Sequence, residues 1–304
     1  MKLTIAIPSY NKKEYIERCV KSALVEQSHT FSIRVVDNCS TDGTFELAQK
    51  FEPDVKCHQN DRNLGMSGNF NKCIELCDGD WLMILHADDE LLPNSIERYK
   101  EMIEKNPSLG LIHADSYSVL NGDESTRILH KQNHKSVWKA GADALSCPYG
   151  VCSAVMVRKE AYDKLGNFIE SSLSSDVEMW ARIAGSYDIG YINEPTVTYH
   201  VNPHSTGPHS LTNRSVKEIR ADWDMLDQKI AASYPTQEGR DLFLKKSREA
   251  APGSYWAVLK ANIRARNLRN VIDALFLILF TYKGGAALLR LVCAAIVKRV
   301  RTWL

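Results

Sequence analysis

Three short apolar runs, each closing on a polar residue and each followed by apolar positions at helical spacing, constrain this chain most. Leu3-Thr4-Ile5-Ala6-Ile7 ends at Pro8-Ser9-Tyr10-Asn11. Ile33 to Val36 ends on Asp37, and Trp81 to Leu85 runs into His86-Ala87-Asp88-Asp89-Glu90. Between them Ile16, Cys19, Val20, Ala23 and Leu24, and then Met66, Phe70, Cys73, Ile74 and Cys77, recur on one helix face. Asn11 with Glu14 has the form of a capping box, and Pro93 suits the first turn of a further helix. Alternating strands and helices predict an α/β fold with a mostly parallel central sheet flanked by helices. Ligands of such sheets bind beyond the carboxyl ends of the strands. Tyr10, Asp37 and Asp88 all fall there, far apart in sequence but able to share one cleft.

Beyond about residue 115 the pattern loosens. Leu109 to Ala114, Ser153 to Val157 and Ile189 to Ile192 read as strands and Asp176 to Ala184 as a helix, and from about residue 213 the chain reads as helical. The 304 residues divide into an expected domain at 1–212 and a helical extension at 213–304. A net charge of +1 gives no basis for a nucleic-acid partner. Eight cysteines without a C-x-x-C pair read as packed, reduced thiols of a cytosolic protein. Leu3 to Ile7, broken by Pro8, is too short for a signal peptide.

Adjacent Asp88 and Asp89 at a strand end form a compact anionic site. Hard divalent cations such as Mg²⁺ or Mn²⁺ favour carboxylate oxygens and leave positions open for phosphates. Asp37 can accept a hydrogen bond from the imide N–H of uracil or thymine, and Tyr10 can stack on such a base. The same two residues also read as a turn residue and a packing residue. Asn63-Leu64-Gly65 permits close backbone approach to a ligand and equally reads as a helix entry. Asp176 is either a general base or a carboxylate favoured at a helix N-terminus.

Four segments in order resemble family 2 glycosyltransferases of the GT-A fold: Ile5-Ala6-Ile7-Pro8-Ser9-Tyr10-Asn11, Val35 to Thr44, Asn63 to Asn71, and Leu85-His86-Ala87-Asp88-Asp89. The similarity covers residues 1 to 210. It implies a nucleotide-sugar pocket lined by Pro8, Tyr10, Asn11, Asp37, Asn63, Gly65 and Asp88. It also implies a divalent cation, Mn²⁺ or Mg²⁺, held at Asp88 and Asp89, with the division of roles between the two left open. His86 and Ala87 depart from the family's Asp-x-Asp form. Ser174 to Arg182 resembles the family's catalytic segment and makes Asp176 the base, with Glu178 as a second candidate; Ser175 stands where the family usually has Glu. Tyr199 to Ser205 resembles the loop that closes over the diphosphate, which makes His200 and His204 additional cation or phosphate ligands.

The C-terminal stretch has two apolar segments, Val271 to Phe280 and Ala286 to Val297, neither reaching the ~20 residues that span a bilayer. With Lys283, Arg290, Lys298, Arg299, Arg301 and Trp303 they read as an anchor lying in an anionic membrane surface, or as a hairpin packed on protein. The expectation is therefore a metal-dependent inverting glycosyltransferase at the inner face of the cytoplasmic membrane. It would move a sugar from a UDP- or dTDP-sugar to a glycan or lipid-linked acceptor in bacterial surface polysaccharide synthesis, with the oligomeric state open. The competing reading is a nucleotide-sugar-binding scaffold without turnover. A dinucleotide-dependent oxidoreductase is disfavoured because no G-x-G-x-x-G follows the first strand.

Overall fold

A computed structural model describes residues 1–26, 31–131, 135–147, 150–170, 172, 174–202 and 215–245, with 247, 262 and 274. The chain divides into two compact units, residues 1–203 with 232–239, and residues 204–231 with 240–304.

The first unit is built on one mixed sheet. Strands β3 (Val55–Gln59), β2 (Phe31–Asp37), β1 (Leu3–Ser9) and β4 (Trp81–Ile84) lie side by side, all parallel. Beyond β4 the sheet is no longer uniformly parallel. Strand β9 (Val155–Arg158) inserts antiparallel between β4 and β6 (Leu109–Leu120). Strand β10 (Asp188–Val201) then runs parallel to β6, and β5 (Glu90–Leu91) pairs antiparallel at its edge. Strands β7 (Asp123–His130) and β8 (Val137–Trp138) pair off β6 and β10. The mostly parallel expectation thus holds for the half of the sheet that carries the first three apolar runs.

Period-2 alternation sorts β1 between two cores. Leu3, Ile5 and Ile7 pack in one cluster with Ile16, Cys19 and Val20 of α1 (Ile16–Val25) and with Tyr99 of α4 (Ser95–Lys105). Ala6 joins Leu82 and Ile84 in the opposite cluster, against Phe70 of α3 (Gly65–Glu75) and Trp180 of α6 (Ser175–Ala184). Each fully buried aliphatic side chain contributes about 1.5–3 kcal/mol, so both faces of β1 are fixed, and with them its carboxyl end. Helices α2 (Thr44–Gln49) and α5 (Lys159–Leu165) complete the covering layers.

Four local readings are corrected. Asn11 does not cap α1: the helix opens after Tyr15, and Asn11 takes a left-handed φ of 50°. Pro93 precedes α4 rather than entering it, because Asn94 intervenes with a φ of 62°. Strand β6 continues past Ala114 to Leu120, where β7 folds back on it. The strand read at Ile189 to Ile192 extends to Val201, across a register irregularity around Pro195 that accommodates the missing N–H. The described cysteines are free thiols, all of them buried or partly so.

In the second unit, α7 (Val216–Ala232) starts with a capping box. Ser215 Oγ accepts from Glu218 N–H at 3.2 Å, while Glu218 Oε2 accepts from Ser215 N–H at 2.8 Å. The apolar segments at 271–280 and 286–297 lie outside the described residues apart from Ala274. Among the described residues no helix is long and apolar enough to cross a membrane.

Candidate active site

The carboxyl ends of β1, β2 and β4 form the floor of the site. Asp37, the last residue of β2, is completely buried. Its Oδ1 accepts from Ser9 Oγ at 3.0 Å and Ser40 Oγ at 2.6 Å; its Oδ2 accepts from Ser40 N–H at 2.8 Å and Gln59 Nε2 at 3.1 Å. Every lone-pair direction of the carboxylate is thus filled from within the chain. Asp37 ties β1, β3 and the loop after β2 together. Tyr10, by contrast, is 45% exposed just past β1, so a ring face is available. Asn11 next to it bonds the same loop, accepting from Thr41 N–H at 2.9 Å and donating its own N–H to Ser40 Oγ at 2.9 Å.

A ladder of asparagines holds the neighbouring loop. Asn38 Nδ2 donates to Asn63 Oδ1 at 2.8 Å and to Gly65 O at 3.1 Å, while Asn38 Oδ1 accepts from Leu64 N–H at 2.8 Å. Asn60 Nδ2 reaches both Asn38 Oδ1 and Asn69 Oδ1, and Asn69 Nδ2 donates to Val36 O. Gly65 has a φ of 75°, which a side chain would strain. Asn63 and Gly65 therefore sit beside the end of β2 and also open α3, so both sequence readings of this segment hold.

The acidic pair follows β4. Asp88 Oδ2 accepts from Lys12 Nζ at 2.6 Å and from Asn202 Nδ2 at 3.0 Å. Burial works against ionisation of Asp88, but the Lys12 charge and these hydrogen bonds outweigh it and hold the carboxyl below its usual range. Asp89 is fully enclosed. Its Oδ2 accepts from Ser153 Oγ at 2.5 Å and its Oδ1 from His200 N–H at 2.9 Å, and burial together with the Asp88 charge pushes its carboxyl up to about 8. His86 stacks on Phe70 with ring centroids 5.5 Å apart, and its buried Nε2 has no hydrogen-bond partner among the described residues. Burial lowers its pKa, keeping the imidazole neutral. One ligand atom each from His86, Asp88 and Asp89 lies within 4.8 Å of the others. Two carboxylates and a neutral imidazole with an unused nitrogen form a donor set that suits Mn²⁺ or Mg²⁺.

Asp176 opens α6 on the same side. Burial pushes its carboxyl up, and the hydrogen bond it accepts from Val177 N–H at 2.9 Å offsets this only in part. The adjacent Ser175 Oγ lies 2.8 Å from Ser67 Oγ of α3, which pins the start of α6 to α3. Glu178, the second base candidate, is buried in a fork with Arg182, Oε1 to Nε at 3.0 Å and Oε2 to the guanidinium Nη2 at 2.5 Å. Trp180 is core.

The structure thus brings Tyr10, Asn11, Asp37, Asn63, Gly65, Asp88, Asp89 and Asp176 around one set of strand ends, with Pro8 inside β1 beside Val36. His200 Nε2 lies 2.7 Å from Glu90 Oε1, so the ring serves Glu90 while its backbone serves Asp89. His204 lies outside the described residues. Lys12, Asn38, Asn60, Ser153 and Asn202 were not legible as site residues. Lys12 adjoins Tyr10-Asn11, but its partner lies 76 residues away.

The pattern described as glycosyl transferase family 2 matches residues 4–166. A putative teichuronic acid biosynthesis glycosyltransferase, TuaG of Bacillus subtilis, is 31% identical over 52% of this chain and 62% of its own length. The chain spans between 17% and 76% of the lengths of the curated relatives compared. Among solved structures, S. aureus TarS 1-349 in complex with UDP-GlcNAc superposes with a TM-score of 0.65 at 17% identity, over 86% of this chain and 81% of that one. A mannosyltransferase from Pyrobaculum calidifontis in complex with GDP-Man and Mn²⁺ gives 0.64 at 17% identity, over 99% and 82%. These neighbours show the fold.

Proposed function

This chain belongs to glycosyl transferase family 2, and on that premise we propose that it is a metal-dependent, inverting transferase acting from a UDP- or dTDP-sugar. The observation that carries the proposal is the closeness of the His86, Asp88 and Asp89 ligand atoms, within 4.8 Å, beside an acid whose proton affinity is raised, Asp176. The exposed ring of Tyr10 offers a stacking surface for the base. Asp37 shapes the base pocket from beneath; direct contact with an imide N–H requires Ser40 or Gln59 to release an oxygen. The fixed turn at Asn63 to Gly65 presents backbone to the nucleotide. His86, Asp88 and Asp89 would hold a divalent cation. Bound there, that cation supplies Lewis-acid stabilisation of the charge that develops on the departing diphosphate. Lys12 adds a positive charge at the same place, in a partly water-excluded setting where it counts for more than in bulk solvent. Asp176 takes the proton of the attacking hydroxyl, and its raised pKa suits a base working near neutrality.

Residues 1–212 form the catalytic domain in this reading. Residues 213–304 form a helical extension that meets the inner face of the cytoplasmic membrane, where a lipid-linked or glycan acceptor of surface polysaccharide synthesis is presented. The name of the B. subtilis relative supports that setting. The test is a thermal-shift screen of UDP-, dTDP- and GDP-sugars with and without Mn²⁺. A metal-dependent rise shared by UDP- or dTDP-sugars is expected. A response to GDP-sugars alone overturns the donor assignment, and silence towards all of them overturns the enzyme reading.

A further inference from the structure

Ser153 lies in the turn Cys152–Ala154 that leads into β9, and it is completely buried. Its Oγ accepts from the backbone N–H of His86 at 3.1 Å and lies 2.5 Å from Asp89 Oδ2. A backbone N–H can only donate, so the hydroxyl hydrogen is left for the carboxylate. The same Oδ2 is 4.0 Å from His86 Nδ1. A single hydroxyl, 64 residues further along the chain than Asp89, therefore bonds both the strand end that carries the His86 ring and the carboxylate oxygen facing that ring. The other Asp89 oxygen is held by a backbone amide, that of His200. Ser153 is thus the side chain that sets the gap between imidazole and carboxylate.

We propose that Ser153 is a positioning residue of the cation site, fixing Asp89 and His86 at the separation a shared divalent cation needs. The proposal rests on the cation reading above. Alanine at this position leaves two buried polar groups without a partner, Asp89 Oδ2 and the His86 N–H, and frees the carboxylate to rotate. Outer-shell partners of metal ligands typically contribute 10–100-fold to affinity.

The test is Mn²⁺ titration of the full chain by electron paramagnetic resonance, with circular dichroism and melting temperature as folding controls. Ser153→Ala is expected to bind Mn²⁺ about 10–100-fold more weakly than the parent, and Ser153→Thr, which keeps the hydroxyl, to recover most of the loss. In an Asp89→Asn background the Ser153→Ala change is expected to cost clearly less than in the parent, since only the part acting through the His86 N–H remains. Should Ser153→Ala not fold, the Ser153→Thr and Ser153→Cys pair gives the same reading, with Thr binding more tightly than Cys. Wild-type affinity in Ser153→Ala, or a full additional loss in the Asp89→Asn background, overturns the positioning role alone. Absence of Mn²⁺ binding by the parent protein overturns the cation reading, and the positioning role with it.

Discussion

Lys12 Nζ stands 2.6 Å from Asp88 Oδ2, with 20% and 13% of the two side chains exposed. The first loop of the fold thus pairs an ammonium with Asp88, the outer member of the acidic pair. Lys12 follows β1 and Asp88 follows β4, two strands paired directly in parallel, so the contact is a consequence of sheet order. In the proposed function a divalent cation would share Asp88 with this ammonium, and a diphosphate would gain a second positive partner from it.

Replacing Lys12 by Met removes the competitor and the phosphate partner together. Without nucleotide, Mn²⁺ affinity is expected to rise about tenfold, equivalent to ~1.4 kcal/mol, while the KM for the sugar donor rises. Calorimetric titration of Mn²⁺ and initial-rate kinetics check both arms. Unchanged Mn²⁺ affinity would mean that the ammonium yields Asp88 without cost.

Asp176→Asn keeps the size and the helix position of the side chain but cannot take a proton. Transfer to acceptor is expected to fall by about 10²–10⁴, with donor affinity in the thermal-shift assay unchanged. Retained transfer would pass the role to another group; Glu178 is poorly suited because Arg182 already occupies it.

Asn38→Ala removes the amide that joins Asn63, Leu64 and Gly65 to the end of β2. The expected effect is a donor KM raised about tenfold, or ~1.4 kcal/mol, with little change in kcat. A loss confined to kcat would detach this loop from donor binding.

Asp78 sits at the opposite end of the strands among Lys2, Arg34 and Lys56. Burial opposes its ionisation, yet the hydrogen bonds from Ser32 and Arg34 prevail and hold the carboxyl far below its usual range. Because the folded value is the lower one, the stabilisation is present above the unfolded carboxyl range of about 3.9 and is lost as the pH falls toward the folded value. Asp78→Asn is expected to cost about 1 kcal/mol near neutrality, a figure discounted for partial exposure. Its urea midpoint should also decline less than the parent's on acidification from about pH 5 to pH 2. Parallel declines in the two proteins would show that Asp78 carries no acid-labile stability.

The strands leading to Tyr10 and Asp88 were readable because they are buried on both faces and nearly continuous in apolar residues, while β2, with Ser32 and Arg34 half-buried, was readable from Ile33, Val35 and Val36. Strand β7 was not, since almost every one of its residues is exposed and no alternation marks it. The extension of β10 was hidden by Asn193-Glu194-Pro195, a polar break that the register irregularity absorbs. At the site, residue types with an evident chemistry were legible, namely carboxylates at strand ends and an aromatic beside them. What each carboxylate bonds to was not. The saturation of Asp37 depends on Ser9 and Gln59, and the anchoring of Asp89 on Ser153 and His200. Those partners meet only once β1, β3, β9 and β10 are ordered in the sheet.

The asparagine ladder beneath Asn63 to Gly65 consists of neutral amides, which neither titrate nor attract counter-ions. That turn, which would face the nucleotide in the proposed function, is consequently held by forces indifferent to acidity and ionic strength, whereas the wall at Lys12 and Asp88 is governed by ionised groups. Buffer conditions should therefore act on the two walls unequally, leaving the Asn63 to Gly65 turn in place under conditions that loosen the Lys12 and Asp88 side.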